Sequence, residues 1–392
     1  MLETKIGESL VQKVKDQVVE WRRFLHQYPE LSFQEEETSQ FVYETLQSFG
    51  SLEVSRPTKT SVTARLVGAL PGKSLAMRAD MDALPIEEEN EFDFASKHPG
   101  VMHACGHDGH TAMLLGAAKV LTELQEHIQG EVLFIFQHAE ELQPGGAQEM
   151  VEVGVMDGID KVIGLHLFSP VPVGQIGITY GPMTANCDTF DIQIKGQGGH
   201  ASQPEAGIDP IAIGSQVLNN LQHIVSRSLD PAEKLVVSVT KFHGGTAYNV
   251  IPETVNLGGT VRSFSQDVRE QTRAKIESIV KGVTEAHGAS YEIDYQWGYS
   301  SVMNDSEVTQ EVEDMVTEVL GSDYVLQAPP QMGSEDFSAF SQQTPGCFIG
   351  VGAGNEDKGM VHPHHHPRFT IDEDALEDGL KILVNAPFKL LD

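Results

Sequence analysis

The chain has 392 residues with 40% hydrophobic content, enough to bury a sizeable core in roughly two domains. Its 26 basic and 57 acidic residues leave a formal net charge of −31, a field that repels phosphate backbones and anionic lipid surfaces, so nucleic acid and membrane partners are not expected. An odd and sparse set of cysteines, Cys105, Cys187 and Cys347, argues against a disulfide framework, and residues 1–20 mix acids and lysines without an apolar core; a cytoplasmic location is expected.

Leu10, Val14, Val18, Trp21 and Leu25 fall three or four residues apart, which predicts an N-terminal helix with one apolar face. A second helix is predicted over residues 35–49, ended by Gly50, with Phe41, Val42, Thr45 and Phe49 on the helical period. Short apolar runs then alternate with helical patterns. This predicts an α/β fold whose mainly parallel sheet is covered by helices on both faces. The runs at 75–77, 132–136, 162–165 and 348–351 read as buried strands. Beyond their C-terminal ends stand Asp80 and Asp82, then Glu140 and Glu141, then His166, then a Gly-rich loop leading to the histidines at 362–366. Open α/β sheets form their sites at the carboxyl edge of the strands, so these distant residues are expected to converge. The uncharged stretch 162–187 is broken by Pro170, Pro172, Gly174, Gly177, Gly181 and Pro182, which a membrane-spanning helix would not carry.

The pattern changes over residues 183–299. Strand 189–194, helix 210–227, strands 235–239 and 255–262, helix 266–287 and strand 291–295 make the order βαββαβ, the ferredoxin-like arrangement. An inserted α+β domain over 183–299 is therefore expected, with 1–182 and 300–392 forming one catalytic domain around it.

Residues 103–110 concentrate a thiol, a carboxylate and three imidazoles in a Gly-containing turn before an apolar helix predicted at 111–124. The free N–H groups of that helix would favour a thiolate at Cys105, and thiolate with imidazole suits borderline metals. A Cys-x-His pair also occurs where a buried thiol and a hydrogen-bonded histidine simply fill a turn. A structural zinc knuckle is disfavoured because no second Cys pair closes a four-ligand site, and a zinc deaminase because its Pro-Cys-x-x-Cys element is missing. Glu140 and Glu141 end an apolar strand, where one carboxylate can bind metal while the other takes a proton from water; an acidic pair that starts a helix is the plainer alternative. His166 alone could be a satisfied core histidine. Of the four imidazoles among His362, His364, His365 and His366, one is expected to be a ligand.

Several segments together resemble a known family: 77–85 (MRADMDALP), 103–110 (HACGHDGH), 136–141 (FQHAEE), 199–202 (GHAS) and 333–337 (GSEDF). They are similar, in the same order and across essentially the whole chain, to the aminoacylase, hippurate hydrolase and auxin-conjugate hydrolase branch of the co-catalytic metallopeptidases. The resemblance implies metal-dependent hydrolysis of N-acyl amino acids, with two divalent ions (zinc, manganese, cobalt or nickel) held by Cys105, His107, Glu141, His166 and His365. The Cys105 thiolate would bridge both ions and Glu140 would be the general base. His365 is chosen because it stands two before Pro367, in the family's His-x-Pro pattern. The inserted domain is expected to serve dimerisation and as a lid, His200 to reach the active site, across a dimer interface in some arrangements, and Asn249 and Arg262 to contact substrate. Asn249 capping a turn and Arg262 in an ordinary salt bridge remain the plainer readings. Two departures stand out: His138 occupies a position where many relatives carry proline, and Asp80 one where more distant branches carry a metal-binding histidine. Asp80 and Asp82 are therefore read as supports behind the ligands. The expected partner is a small N-acyl amino acid, and the expected assembly a homodimer or higher homo-oligomer. Rival readings are a dipeptidase or carboxypeptidase acting at the same site and a non-catalytic protein that binds metal or amino acid.

Overall fold

A computed structural model describes residues 2–391. The chain divides into two compact units: Met1–Met183, Val302–Pro330 and Asp336–Asp392 form the first, Thr184–Ser301 and Gln331–Glu335 the second. The short piece Gln331–Glu335 belongs with the second because Thr184 bridges to Gln331 and the Ala185 N–H donates to the Gly333 carbonyl at 2.8 Å.

The first unit is built on an eight-stranded sheet. Its spatial order is Glu53–Ser55, Val62–Val67, Gln129–Gln137, Leu70–Asp80, Lys161–Pro172, Gly346–Gly354, Ile176–Ile178 and Val325–Gln327. The four central strands, Gln129–Gln137 to Gly346–Gly354, run parallel, as their near-continuous apolar composition predicts for strands covered on both faces. Antiparallel pairs appear towards the edges, at Glu53–Ser55 with Val62–Val67, Val62–Val67 with Gln129–Gln137, and Ile176–Ile178 with Gly346–Gly354.

Because side chains alternate across a strand, each central strand feeds two cores. Met77, Phe134, Phe136, Ile163, Leu165, Ile349 and Val351 enter a large cluster on one face. Ala76, Leu133, Ile135, Val162 and Phe348 enter a smaller one on the other, with Phe337 and Phe340. The helices Leu2–Gln27, His107–Glu123 and Asp374–Asn385 pack together over the large cluster. Two glycines let them approach: a Cβ on Gly116 would lie 2.6 Å from Val18 Cγ2, and one on Gly379 would lie 2.3 Å from Met113 Sδ.

Two expectations about local structure are corrected. The strand expected to end at Leu165 continues to Pro172, so His166 lies inside it, opposite Gly350, rather than beyond its end. The helix expected from residue 111 begins at His107, because Gly106 at φ 90° makes the turn that a side chain would oppose.

The second unit is ferredoxin-like, as the βαββαβ order predicts. Its antiparallel sheet runs Leu235–Gly244, Thr254–Ser263, Asp188–Lys195, Ser290–Gln296, and the helices Pro210–His223 and Gln266–Ala286 pack against it. Phe190, Ile192 and Ile194 alternate inward to meet Val217, Leu221, Ile276 and Val280, while Asp191 is exposed. Among the described residues no helix is long and apolar enough to cross a membrane.

Candidate metal centre

The carboxyl edge of the parallel strands brings Cys105, His107, Glu141, His166 and two histidines of the 362–366 loop together. Cys105 Sγ lies 3.4 Å from His166 Nε2 and 3.8 Å from His364 Nδ1. The donor atoms of Cys105, His107 and Glu141 form a second group, all within 4.8 Å of one another. His365 Nε2 lies 3.2 Å from Glu141 Oε1. Cys105 is common to both groups.

The tautomers are set from behind. His107 donates Nδ1–H to the Asp82 carbonyl at 2.9 Å, which leaves Nε2 as the nitrogen turned towards the site. That Nε2 is buried, makes no hydrogen bond, and lies 3.9 Å from Glu141 Oε1. His166 likewise donates Nδ1–H to the Leu167 carbonyl at 2.9 Å, presenting Nε2 to Cys105. A metal-binding imidazole needs this arrangement, one nitrogen tied and the other bare. His110 lacks it. Leu167 N–H donates to His110 Nε2 at 2.8 Å and His110 Nδ1–H donates to Asp80 at 2.6 Å, so both nitrogens are taken although the ring sits close by. Asp108 is engaged through one oxygen, Oδ2 accepting from Arg22 Nε and from His26, each at 2.8 Å. Buried His103 is pushed down to about 4 chiefly by burial and stays neutral.

The electrostatics fit a cation. His107 is buried, which alone would lower its pKa, yet Asp80, Asp82 and Glu141 together raise it to about 10, so the surroundings favour positive charge at Nε2, carried by a proton that a bound cation would displace. Despite its own burial, Asp80 is held well below the usual carboxylate range by Arg78, His107 and His110. The expectation of an intrinsically favoured thiolate is corrected: burial, then Glu141, Glu140 and Asp80, push the Cys105 thiol well above its ordinary value. Burial and the nearby carboxylates outweigh the helix N-terminus, and a cation against the sulfur is what would make the thiolate stable. Donor spacing also fits. Tetrahedral zinc, with Zn–S near 2.3 Å and Zn–N near 2.0 Å, separates sulfur from nitrogen by roughly 3.6 Å, and the two distances from Cys105 Sγ are 3.4 and 3.8 Å.

Asp82 supports more than His107. Its Oδ1 accepts the Glu140 N–H at 3.1 Å, and its Oδ2 accepts the Glu141 N–H at 3.0 Å and the Ser32 hydroxyl at 2.6 Å. Glu140 is only 7% exposed and directly precedes Glu141 in this anchored segment. A buried network lies further back: Arg78 donates to Asp80 (2.8 Å), Gln137 Oε1 (2.7 Å) and Asp336 (3.0 Å). His138, flagged as a departure, is buried and its Nε2 lies 2.9 Å from Glu149 Oε2, away from the ligand set.

Sequence reasoning chose His365 and passed over His364. The structure sets His364 against Cys105 and His166 and leaves His365, more than half exposed, against Glu141. His365 has φ 64°, so the chain turns sharply between neighbouring imidazoles, and no spacing rule reveals that. The residues expected to complete the site, His200, Asn249 and Arg262, belong to the second unit. There His200 is exposed, and its Nδ1 lies 2.8 Å from the Ser202 hydroxyl; the Asn249 carbonyl accepts the Ala201 N–H at 3.1 Å; and Arg262 lies in a strand opposite Val236.

Comparison with known proteins agrees with this geometry. The chain is 64% identical over 297 residues to an N-acyl-L-amino acid amidohydrolase of Geobacillus stearothermophilus, an alignment covering 76% of this chain and 80% of that one. It is 41% identical to thermostable carboxypeptidase 1 of Saccharolobus solfataricus, over 94% of each chain. Its structure superposes at TM-score 0.84 and 34% identity on a Bacillus subtilis dinuclear metal binding peptidase, covering 97% of this chain and 100% of that one. Residues 76–388 match the profile of peptidase family M20/M25/M40, and the chain belongs to that family.

Proposed function

We propose that this enzyme hydrolyses the amide bond of N-acyl amino acids, releasing a carboxylic acid and a free amino acid, at two divalent cations held by Cys105, His107, Glu141, His166 and His365. The observation that carries the reading is the clustering of one sulfur, bare imidazole nitrogens and a carboxylate at the sheet edge, on a chain 64% identical to an amidohydrolase of that class.

Bound divalent cations supply Lewis acidity, polarising the amide carbonyl and making water acidic enough to attack at neutral pH. Glu140, buried and held by Asp82 through its backbone, accepts the proton of the attacking water. As the C–N bond breaks, Glu140 delivers that proton to the departing amine. Asp82 keeps the His107 tautomer and the Glu140–Glu141 backbone fixed throughout. His200 as a donor to the developing oxyanion, and Asn249 and Arg262 as substrate contacts, rest on the family resemblance. So do the homodimeric assembly, the lid role of the second unit and the cytoplasmic location. The donor set suits zinc, manganese, cobalt or nickel.

Glu140→Gln keeps the shape but cannot take a proton. Its kcat is expected to fall by at least ~10²-fold with metal content unchanged, and near-normal turnover would remove Glu140 from the role of base. A metal-supplemented screen of acetyl-, benzoyl- and indoleacetyl-amino acids, with released amine quantified, tests the substrate class. The 41% identical carboxypeptidase supports one second reading, hydrolysis of short peptides at the same centre. Higher kcat/KM on dipeptides than on every acyl amino acid would favour it.

A further inference from the structure

Glu35 lies in a segment far from the metal-binding motifs, and its surroundings do not match its position in the chain. It occupies the N-cap position of the helix Glu36–Ser48, yet its side chain makes no capping hydrogen bond to that helix. The carboxylate is instead fully buried, and Oε1 accepts the Ala139 N–H at 2.8 Å and the Phe33 N–H at 2.9 Å. Oε2 accepts the Thr60 hydroxyl at 2.9 Å.

Ala139 is the residue before Glu140, and it is unusual. It holds φ 50°, a left-handed conformation that opposes its Cβ, and its carbonyl accepts the Gly146 N–H at 3.0 Å. The three consecutive N–H groups of Ala139, Glu140 and Glu141 are thus each received by a carboxylate oxygen, the first from Glu35 and the other two from Asp82. The same short turn supplies both clamps, since Ser32 donates to Asp82 while Phe33, itself at φ 64°, donates to Glu35. Removing the Glu35 oxygens would leave the Ala139 N–H buried without an acceptor and release a left-handed residue from the bond that holds it.

We propose that Glu35 is a positioning residue: it fixes the backbone turn at Ala139 and through it sets where the carboxylates of Glu140 and Glu141 point. Burial and the charge of Asp82 raise its pKa to about 7, but the clamp does not depend on its charge. In either protonation state Oε1 accepts both backbone N–H groups, and a glutamine carbonyl does the same while its amide can donate to Thr60. The inference rests on the assignment of Glu140 as base and Glu141 as ligand.

The test compares Glu35→Ala and Glu35→Gln with wild type, each loaded with saturating zinc, following kcat, KM, thermal midpoint and zinc affinity by chelator competition. The Ala variant is expected to lose ~10-fold or more in kcat with KM within ~3-fold, and to bind zinc more weakly, as for other groups that orient metal ligands. The Gln variant is expected to recover both quantities to within ~3-fold of wild type by restoring the acceptor. A lowered thermal midpoint with kcat and zinc affinity at wild-type values would make Glu35 merely structural and overturn the proposal. A Gln variant as defective as Ala would overturn it too. Wild-type protein that binds zinc but cleaves no acyl amino acid would defeat the proposed function instead, and the zinc affinities of the two variants would still decide the role of Glu35.

Discussion

At the scale of single residues, the centre depends on which nitrogen of each imidazole is left bare. Asp82 decides this for His107 and also receives the N–H groups of Glu140 and Glu141 and the Ser32 hydroxyl. All of these partners are donors. Asp82→Asn therefore turns an amide NH2 towards buried donors, and zinc affinity measured by chelator competition is expected to fall ~10- to 100-fold; an unchanged affinity would show that the carboxylate does not organise the site. The chemical types at the centre were legible in the sequence, because thiol, imidazole and carboxylate at strand ends are few. Their facing was not. His110 lies in the same motif as Cys105 and His107, and what sets it apart is that the Leu167 N–H occupies its Nε2 and Asp80 its Nδ1. Glu35 carried no signal at all, since its partner Ala139 lies 104 residues away.

At the scale of elements, the central parallel strands and the long helices were legible because apolar period and length both marked them. Their ends were less so. His166, Ser169 and Pro170 break the apolar run, yet the strand continues because Gly346–Gly354 offers a partner as far as Pro172. The helix Asp374–Asn385 carries a feature that pattern alone does not weigh: Asp378 is buried, and burial chiefly raises its carboxyl to about 6. A carboxyl whose folded pKa exceeds its unfolded value near 4 is harmless in acid and destabilising once both states are ionised. Asp378→Asn is expected to raise stability by about 1–2 kcal/mol above pH 7 and to leave it unchanged near pH 3, as read by denaturant titration at both values. Equal stabilisation at both pH values would assign the effect to packing instead.

At the scale of the whole molecule, the chain leaves its first unit after Met183, builds the ferredoxin-like second unit, and returns at Val302 to supply the last central strand and the histidine loop. Insertion there leaves the parallel sheet intact, because Lys161–Pro172 and Gly346–Gly354 pair across the interruption. The change from alternating β and α to βαββαβ made this organisation legible, whereas the attachment of Gln331–Glu335 to the second unit depends on contacts with Thr184 and Ala185 that carry no pattern. The proposed activity requires that strand ends distant in sequence enclose a pair of cations around one sulfur. Anomalous diffraction at the zinc edge from zinc-loaded crystals tests this most directly. Two peaks flanking Cys105 Sγ are expected, one beside His107 and Glu141 and the other beside His166. A single peak, or peaks away from Cys105, would contradict the dinuclear centre.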